Sequence, residues 1–252
     1  MKDPRLSLAL AAAVLVLVLA ACSEQPAGEA PAASPPAKTT DAAPAAPANT
    51  GTIEVRVAYA GAPVVETISI NKDVEQCGTQ ARIEKIAVGD RNGLVWAVAS
   101  VAGLEGSPTA RTPKLDQRGC QFRPHVVAME PGELQILNSD GILHNIHTYS
   151  EANAPINKAQ PKFKKVMTET FTKPEMIRVT CDVHSWMNGW IAVLPHPYFG
   201  VTDERGLTLI EAVPAGSHTL EVWHAELGQR TADVAVKPGE TVQVVVEFPR
   251  AA

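Results

Sequence analysis

Thr180-Cys181-Asp182-Val183-His184-Ser185-Trp186-Met187-Asn188-Gly189-Trp190 joins two short runs of alternating character, Met176 to Thr180 before it and Trp190 to Leu194 after it. Alternation with period two puts every second side chain on one face, so the flanks read as strands and the segment between them as a tight connection. Into that connection the chain packs a thiol, an imidazole and a thioether at C-x2-H-x2-M spacing. Upstream, Asp140-Gly141-Ile142-Leu143-His144-Asn145-Ile146-His147 leads into another such run, Ile142 to Tyr149. His144 and His147 stand three apart, so on a strand they face opposite sides and only one easily reaches Cys181. Two imidazoles, a thiolate and a thioether are the donor set of a trigonal His₂Cys copper site with a weak axial Met. The chemistry explains the residue types. The thiolate binds both copper oxidation states, the imidazoles serve both, and a distant thioether tunes the potential without forcing rearrangement on each electron transfer.

The same alternation recurs at Ile53 to Tyr59, Leu94 to Val101, Val126 to Met129 and Glu133 to Leu137. Turn signals separate the runs: Gly61-Ala62-Pro63, Gly89-Asp90-Arg91-Asn92-Gly93, Pro131-Gly132 and Asn138-Ser139-Asp140-Gly141. No helix of three turns is evident, so the expectation is an all-β sandwich. After His196 a smaller β unit follows, with strands expected at Val201 to Ile210, Val213 to Trp223, Thr231 to Val236 and Val242 to Phe248.

Residues 125 to 195 resemble a cupredoxin, the family of plastocyanin, amicyanin and halocyanin. The resemblance lies in Met129 to Asp140 followed by His144-Asn145-Ile146, and in the C-x2-H-x2-M loop, which is most similar to that of amicyanin. It implies a Greek-key β-sandwich holding one type 1 copper ion. His144 is then the first ligand, selected over His147 by the family pattern H-N-[IV], with Cys181, His184 and Met187 completing the set. Asn145 would tie the His144 strand to the Cys181 loop. His184 would turn its ring edge to solvent beside Trp186, and electrons would leave there. The pattern T-D-x-x-G followed by V-P-x-G-x-[HY]-T-L over residues 201 to 222 resembles the carboxypeptidase regulatory-like or transthyretin-like module. The expected organisation is a copper domain with an amino-terminal extension over 51–195 and this module over 196–252. Because the module is short, residues 51 to 70 are candidates to lend it strands.

The amino terminus reads as a targeting segment. Lys2 and Arg5 precede an uncharged apolar run, Leu6 to Ala21, too short for a comfortable membrane span. Leu19-Ala20-Ala21-Cys22 resembles a bacterial lipobox, which implies a signal peptide over 1–22, lipidation of Cys22 and anchoring at the periplasmic side of a bacterial membrane. Ser23, where an Asp would direct otherwise, leans towards the outer membrane. Residues 23–50 are rich in Ala, Pro, Ser and Thr and read as a disordered tether. With Cys22 lipidated, three cysteines remain, an odd number for an oxidising compartment. Cys77 and Cys120 both sit in loop-like settings, so a disulfide between them is the economical assignment, leaving Cys181 for a metal.

The acidic excess, 27 Asp and Glu against 22 Lys and Arg with a pI near 5.8, argues against a nucleic-acid role. There is no C-x-x-C-H, no G-x-S-x-G and no H-E-x-x-H. Zinc would find Met187 a poor fourth ligand, and His125, His196, His218 and His224 read as structural. Lys158, Lys162, Lys164, Lys165 and Lys173 fall between the ligand segments, where a cationic face would steer an acidic cytochrome or dehydrogenase. The expected function is a membrane-tethered electron carrier, not an enzyme, serving periplasmic redox proteins such as a c-type cytochrome or a dehydrogenase. The alternative is a non-redox copper-delivery lipoprotein, or a ligand-binding module using the transthyretin-like unit.

Overall fold

The computed structural model describes residues 49–106 and 111–250. The expected signal peptide, the lipidated Cys22 and nearly all of the tether lie outside these residues. In chain order the strands are β1 Thr50–Tyr59, β2 Val64–Ser69, β3 Gln80–Ile86, β4 Val98–Val101, β5 Lys114–Gln117 and β6 Phe122–Arg123. They continue with β7 Val126–Met129, β8 Gly132–Asn138, β9 His144–Tyr149, β10 Asn157–Gln160, β11 Val166–Phe171 and β12 Glu175–Thr180. The last six are β13 Asn188–Val193, β14 Phe199–Val201, β15 Leu207–Pro214, β16 Gly216–His224, β17 Gly228–Val236 and β18 Thr241–Phe248. One turn of helix, α1 Val74–Cys77, interrupts the ribbon formed by β2 and β3. The chain is all-β, and among the described residues no helix is long and apolar enough to cross a membrane.

Two sheets enclose the core that carries the site. The first runs β10-β9-β12-β13-β7 and the second β11-β8-β5-β6. Between them lie Leu115, Leu134, Ile136, Ile146, Phe171, Ile177, Val179 and Ile191, all wholly buried. Each is an inward member of an alternating strand. In β8, for instance, Leu134, Ile136 and Asn138 point in while their neighbours reach outward. At ~25 cal/mol per Å² of apolar surface removed from water, such residues supply about 1.5–3 kcal/mol apiece. β12 lies between β9 and β13, with Thr180 opposite both His147 and Asn188. That register sets the Cys181 loop beside the start of β9.

The second core corrects the expected division of the chain. β1 pairs antiparallel with β15 and parallel with β18, and β4 pairs with β14 and β16. The carboxyl-terminal unit is therefore not confined to 196–252. It takes a central strand from residues 50–59 and another from 98–101, and β15 and β18 meet only through β1. Ile53, Val55 and Val57 of β1 share one buried core with Ala99, Leu220, Val222 and Val246. A third apolar cluster, with Val98, Val126, Ala192 and Leu194 at its centre, joins the two halves, and Trp190 meets Trp223 edge-on there at 5.0 Å. The expected strand from Leu94 begins only at Val98, because Trp96 adopts a left-handed φ of 65° that breaks the ladder. The run Val201 to Ile210 likewise breaks into β14 and β15, where Asp203 accepts the amides of Arg205 and Leu207 in a tight turn.

Candidate metal centre

Three of the four expected ligands meet at one point. His144 opens β9, Cys181 follows the last residue of β12, and His184 stands in the turn leading to β13. The Nδ1 atoms of His144 and His184 are 3.0 Å apart, and Cys181 Sγ lies 3.9 and 3.8 Å from them. All three side chains are buried, the two histidines completely. The triangle fits a metal ion. A point in its plane about 2.0 Å from each nitrogen stands about 1.3 Å above the midpoint of the nitrogen pair, and the sulfur about 3.5 Å above it. The sulfur is then about 2.2 Å from that point, near the ~2.0–2.1 Å and ~2.3 Å of ordinary metal–imidazole and metal–thiolate bonds. Met187, 1% exposed, closes the same loop. Its amide donates to the His184 carbonyl, and its own carbonyl accepts the Cys181 amide.

Asn145 ties the two ligand segments together. Its Oδ1 accepts the Asp182 amide at 2.5 Å, its Nδ2 donates to Asp182 Oδ2 and Asn157 Oδ1, and its backbone amide points at Cys181 Sγ at 3.5 Å. His147, by contrast, faces away from the triad. Its Nδ1 pairs with Asp182 at 2.9 Å and its ring stacks on Tyr149.

The electrostatics favour a thiolate. Burial pushes the Cys181 thiol up, but His144 and the backbone amides of Asn145, His184 and Val183 outweigh it and hold the thiol below its ordinary value. Burial opposes charge on His144 too, yet Asp140 and Cys181 raise it to about 9. His184 is pushed down, first by burial and further by the charge on His144, with Asp73 opposing. A metal ion held by His144, Cys181 and His184 would have to compete with a proton on His144.

Two residues at the site were not legible as functional in the sequence. Asp140 Oδ2 meets His144 Nε2 at 2.9 Å, and Asp73 Oδ2 meets His184 Nε2 at 2.9 Å. A carboxylate on the outer nitrogen fixes which ring nitrogen presents its lone pair inward. Asp140 carried a faint signal, an acid one turn ahead of a candidate ligand, but it read as part of Asn138-Ser139-Asp140-Gly141. Asp73 carried none, being 111 residues from His184.

The expectation of a solvent-facing His184 edge is overturned. The ring is 0% exposed because Asp73 and the turn that bears it cover the edge. Trp186 is half-buried against the same ring, its Nε1 donating to the Cys120 carbonyl. Cys77 and Cys120 form a disulfide, and Cys181 is free and buried. Lys158 is paired with Glu169 at 2.7 Å.

No family model and no curated protein matches the chain. Among solved structures, it is similar to a Cu-containing nitrite reductase from Thermus scotoductus SA-01 at 20% identity and a TM-score of 0.31. That match covers 38% of this chain and 25% of the other, so the chain spans about a quarter of that protein's length. A purple cupredoxin from Nitrosopumilus maritimus is similar at 16% identity and a TM-score of 0.28, over 32% of this chain and 99% of that one. A Cu(I) amicyanin mutant is similar at 16% identity and a TM-score of 0.30, over 38% and 98%.

Proposed function

We propose that this chain is a copper protein that carries single electrons between redox partners, with His144, Cys181, His184 and Met187 holding one type 1 copper ion. The observation that carries the reading is the buried triangle of two Nδ1 atoms and one Sγ, sized for a metal and backed on both outer nitrogens by carboxylates. Copper so bound would supply one-electron cycling between Cu(II) and Cu(I). The residues' own part is to hold still. Asn145 fixes the loop to the strand, Asp140 and Asp73 fix the rings, and the two sheets fix the strand ends. A carrier is favoured over a catalyst because a catalytic metal keeps an open position for substrate, whereas here a fourth donor is available from the same loop. Cys22 would anchor the protein at the periplasmic side of a bacterial membrane, the outer membrane being favoured. Its partners would then be periplasmic redox proteins such as a c-type cytochrome or a dehydrogenase.

The test is the visible absorption and EPR spectrum of the full-length chain after one equivalent of Cu(II). An intense thiolate-to-copper band with narrow parallel hyperfine splitting, lost in Cys181→Ser, is the expected result. A colourless protein, or ordinary tetragonal copper signals, would overturn it and leave copper delivery or ligand binding as the function.

A further inference from the structure

The turn that carries Asp73 is outside both sandwiches, yet it is held against the metal centre at three points. Asp73 pairs with His184 Nε2. Gln76 Nε2 donates to Asp140 Oδ1 at 3.2 Å, and Asp140 in turn holds His144. Cys77 is joined to Cys120, whose amide donates to Asp140 Oδ2 at 2.8 Å and whose carbonyl holds Trp186. Every tie ends on a group that touches a proposed ligand or its immediate support.

The turn is closed locally by the Ile70 amide on the Thr79 carbonyl and by the Gln76 and Cys77 amides on the Asp73 carbonyl, but none of these bonds reaches the centre. α1 has only four residues and none of them is fully buried, so helix propensity does not position it, and Cys77 alone packs against the core. Asp73 itself has φ 48° and ψ 39°, the left-handed region. A non-glycine residue there is disfavoured by roughly 1–2 kcal/mol and persists only where its surroundings impose the conformation. The surroundings here are the three ties.

We infer that residues 72–78 form a cap on the metal centre, with Asp73 as the positioning residue of His184 and the Cys77 to Cys120 disulfide as its fastening. By accepting the Nε2 proton of His184, the Asp73 carboxylate leaves Nδ1 as the inward donor and sets the plane of the ring. By covering the ring edge, the turn keeps water and partner surfaces from it. A redox partner therefore meets the exposed residues of the cap, Lys72, Val74 and Glu75 among them, and not the imidazole. The consequence for partners rests on the electron-transfer reading, whereas the closure itself does not need the metal.

The experiment separates the two. In the metal-free, full-length chain, the rate at which N-ethylmaleimide alkylates Cys181 is followed by peptide mass mapping in the wild type, in Asp73→Ala and in Cys77→Ser/Cys120→Ser. Both variants are expected to react at least about tenfold faster, the effect of losing one charge-assisted hydrogen bond or its fastening. Asp73→Ala keeps the disulfide and both cores, so it decides the matter if the cysteine variant fails to fold. Copper titration then gives the second readout. Asp73→Ala should bind about 10–100-fold more weakly, with a shifted visible band, and Asp73→Glu should recover part of both. Unchanged alkylation in Asp73→Ala, or unchanged copper affinity and spectrum, would overturn the cap. If the wild type binds no copper, the electron-transfer reading fails while the alkylation rates still decide whether the cap exists.

Discussion

Replacing Asn145 with Ala should loosen the joint between the His144 strand and the Cys181 loop. The side chain is 5% exposed and makes three hydrogen bonds: it accepts the Asp182 amide and donates to Asp182 Oδ2 and Asn157 Oδ1. The first matters most. Without Oδ1 the Asp182 amide is left in a partly buried position with no partner, at about 1–3 kcal/mol. The Asp182 carboxylate is 48% exposed and recovers water, so the donated bonds add less. A total of about 2–3 kcal/mol, at ~2–4 °C per kcal/mol for a chain of this size, lowers Tm by about 4–12 °C. Calorimetry of the metal-free and copper-loaded forms measures it. If Asn145 sets the distance between His144 and Cys181, the loaded form should lose more than the metal-free form, with copper affinity falling about 10–100-fold. A Tm within about 2 °C of wild type in both forms would refute the reasoning.

Mild acid should weaken the fold through a buried imidazole. His224 is 2% exposed, accepts the Glu226 amide at Nδ1, and is pushed by burial, and secondarily by nearby His125, down to about 4. The unfolded chain takes up this proton near pH 6.5, so the contribution of His224 is constant above that and falls by at most about 3 kcal/mol as pH drops to 4. Urea denaturation across pH 4 to 7.5 should show the slope, partly flattened in His224→Gln; an identical slope in the variant would refute it. At Gly206, φ is 71° and an added Cβ would stand 2.4 Å from the Val57 carbonyl oxygen. At Gly228, φ is 74° and the space is open. Gly206→Ala should therefore cost more than about 3 kcal/mol and Gly228→Ala about 1–2, and equal losses in denaturant would contradict the packing. Removing both Cys77 and Cys120, whose link spans 43 residues, should cost up to about 4 kcal/mol by loop entropy; a change in denaturation midpoint equivalent to less than about 1 kcal/mol would mean the ribbon is ordered without it.

Strands that bury one face were readable because their alternation is written into consecutive residues. β1 buries Ile53, Val55, Val57 and Tyr59 in strict turn, and β7 coincides with the run from Val126 to Met129. Strands whose buried positions are few or polar left no such trace. β10 inserts only Gln160 into the interior, and β5 offers Lys, Leu, Asp and Gln. Their place in the sheets comes from backbone pairing with β9 and β8, which the side chains do not announce.

The donor types of the candidate centre were local information, because C-x2-H-x2-M and His144-Asn145 each lie within one loop and one strand start. Which histidine faces in followed from strand geometry once the register of β12 against β9 was set. Two matters were decided only by the tertiary structure. One is the borrowing of β4 by the carboxyl-terminal strands and the register of β1 among them, since a parallel pairing of residues 52–59 with 241–248 depends on partners far along the chain. The other is the closure of the metal edge. Asp73 has ordinary surroundings in sequence, and its role arises only because folding brings it to His184, 111 residues away. Periodicity and motif spacing report what a residue does with its neighbours in the chain. Contacts made across the fold are set by the geometry of packed sheets, and the outer carboxylates and the cap belong to that second kind.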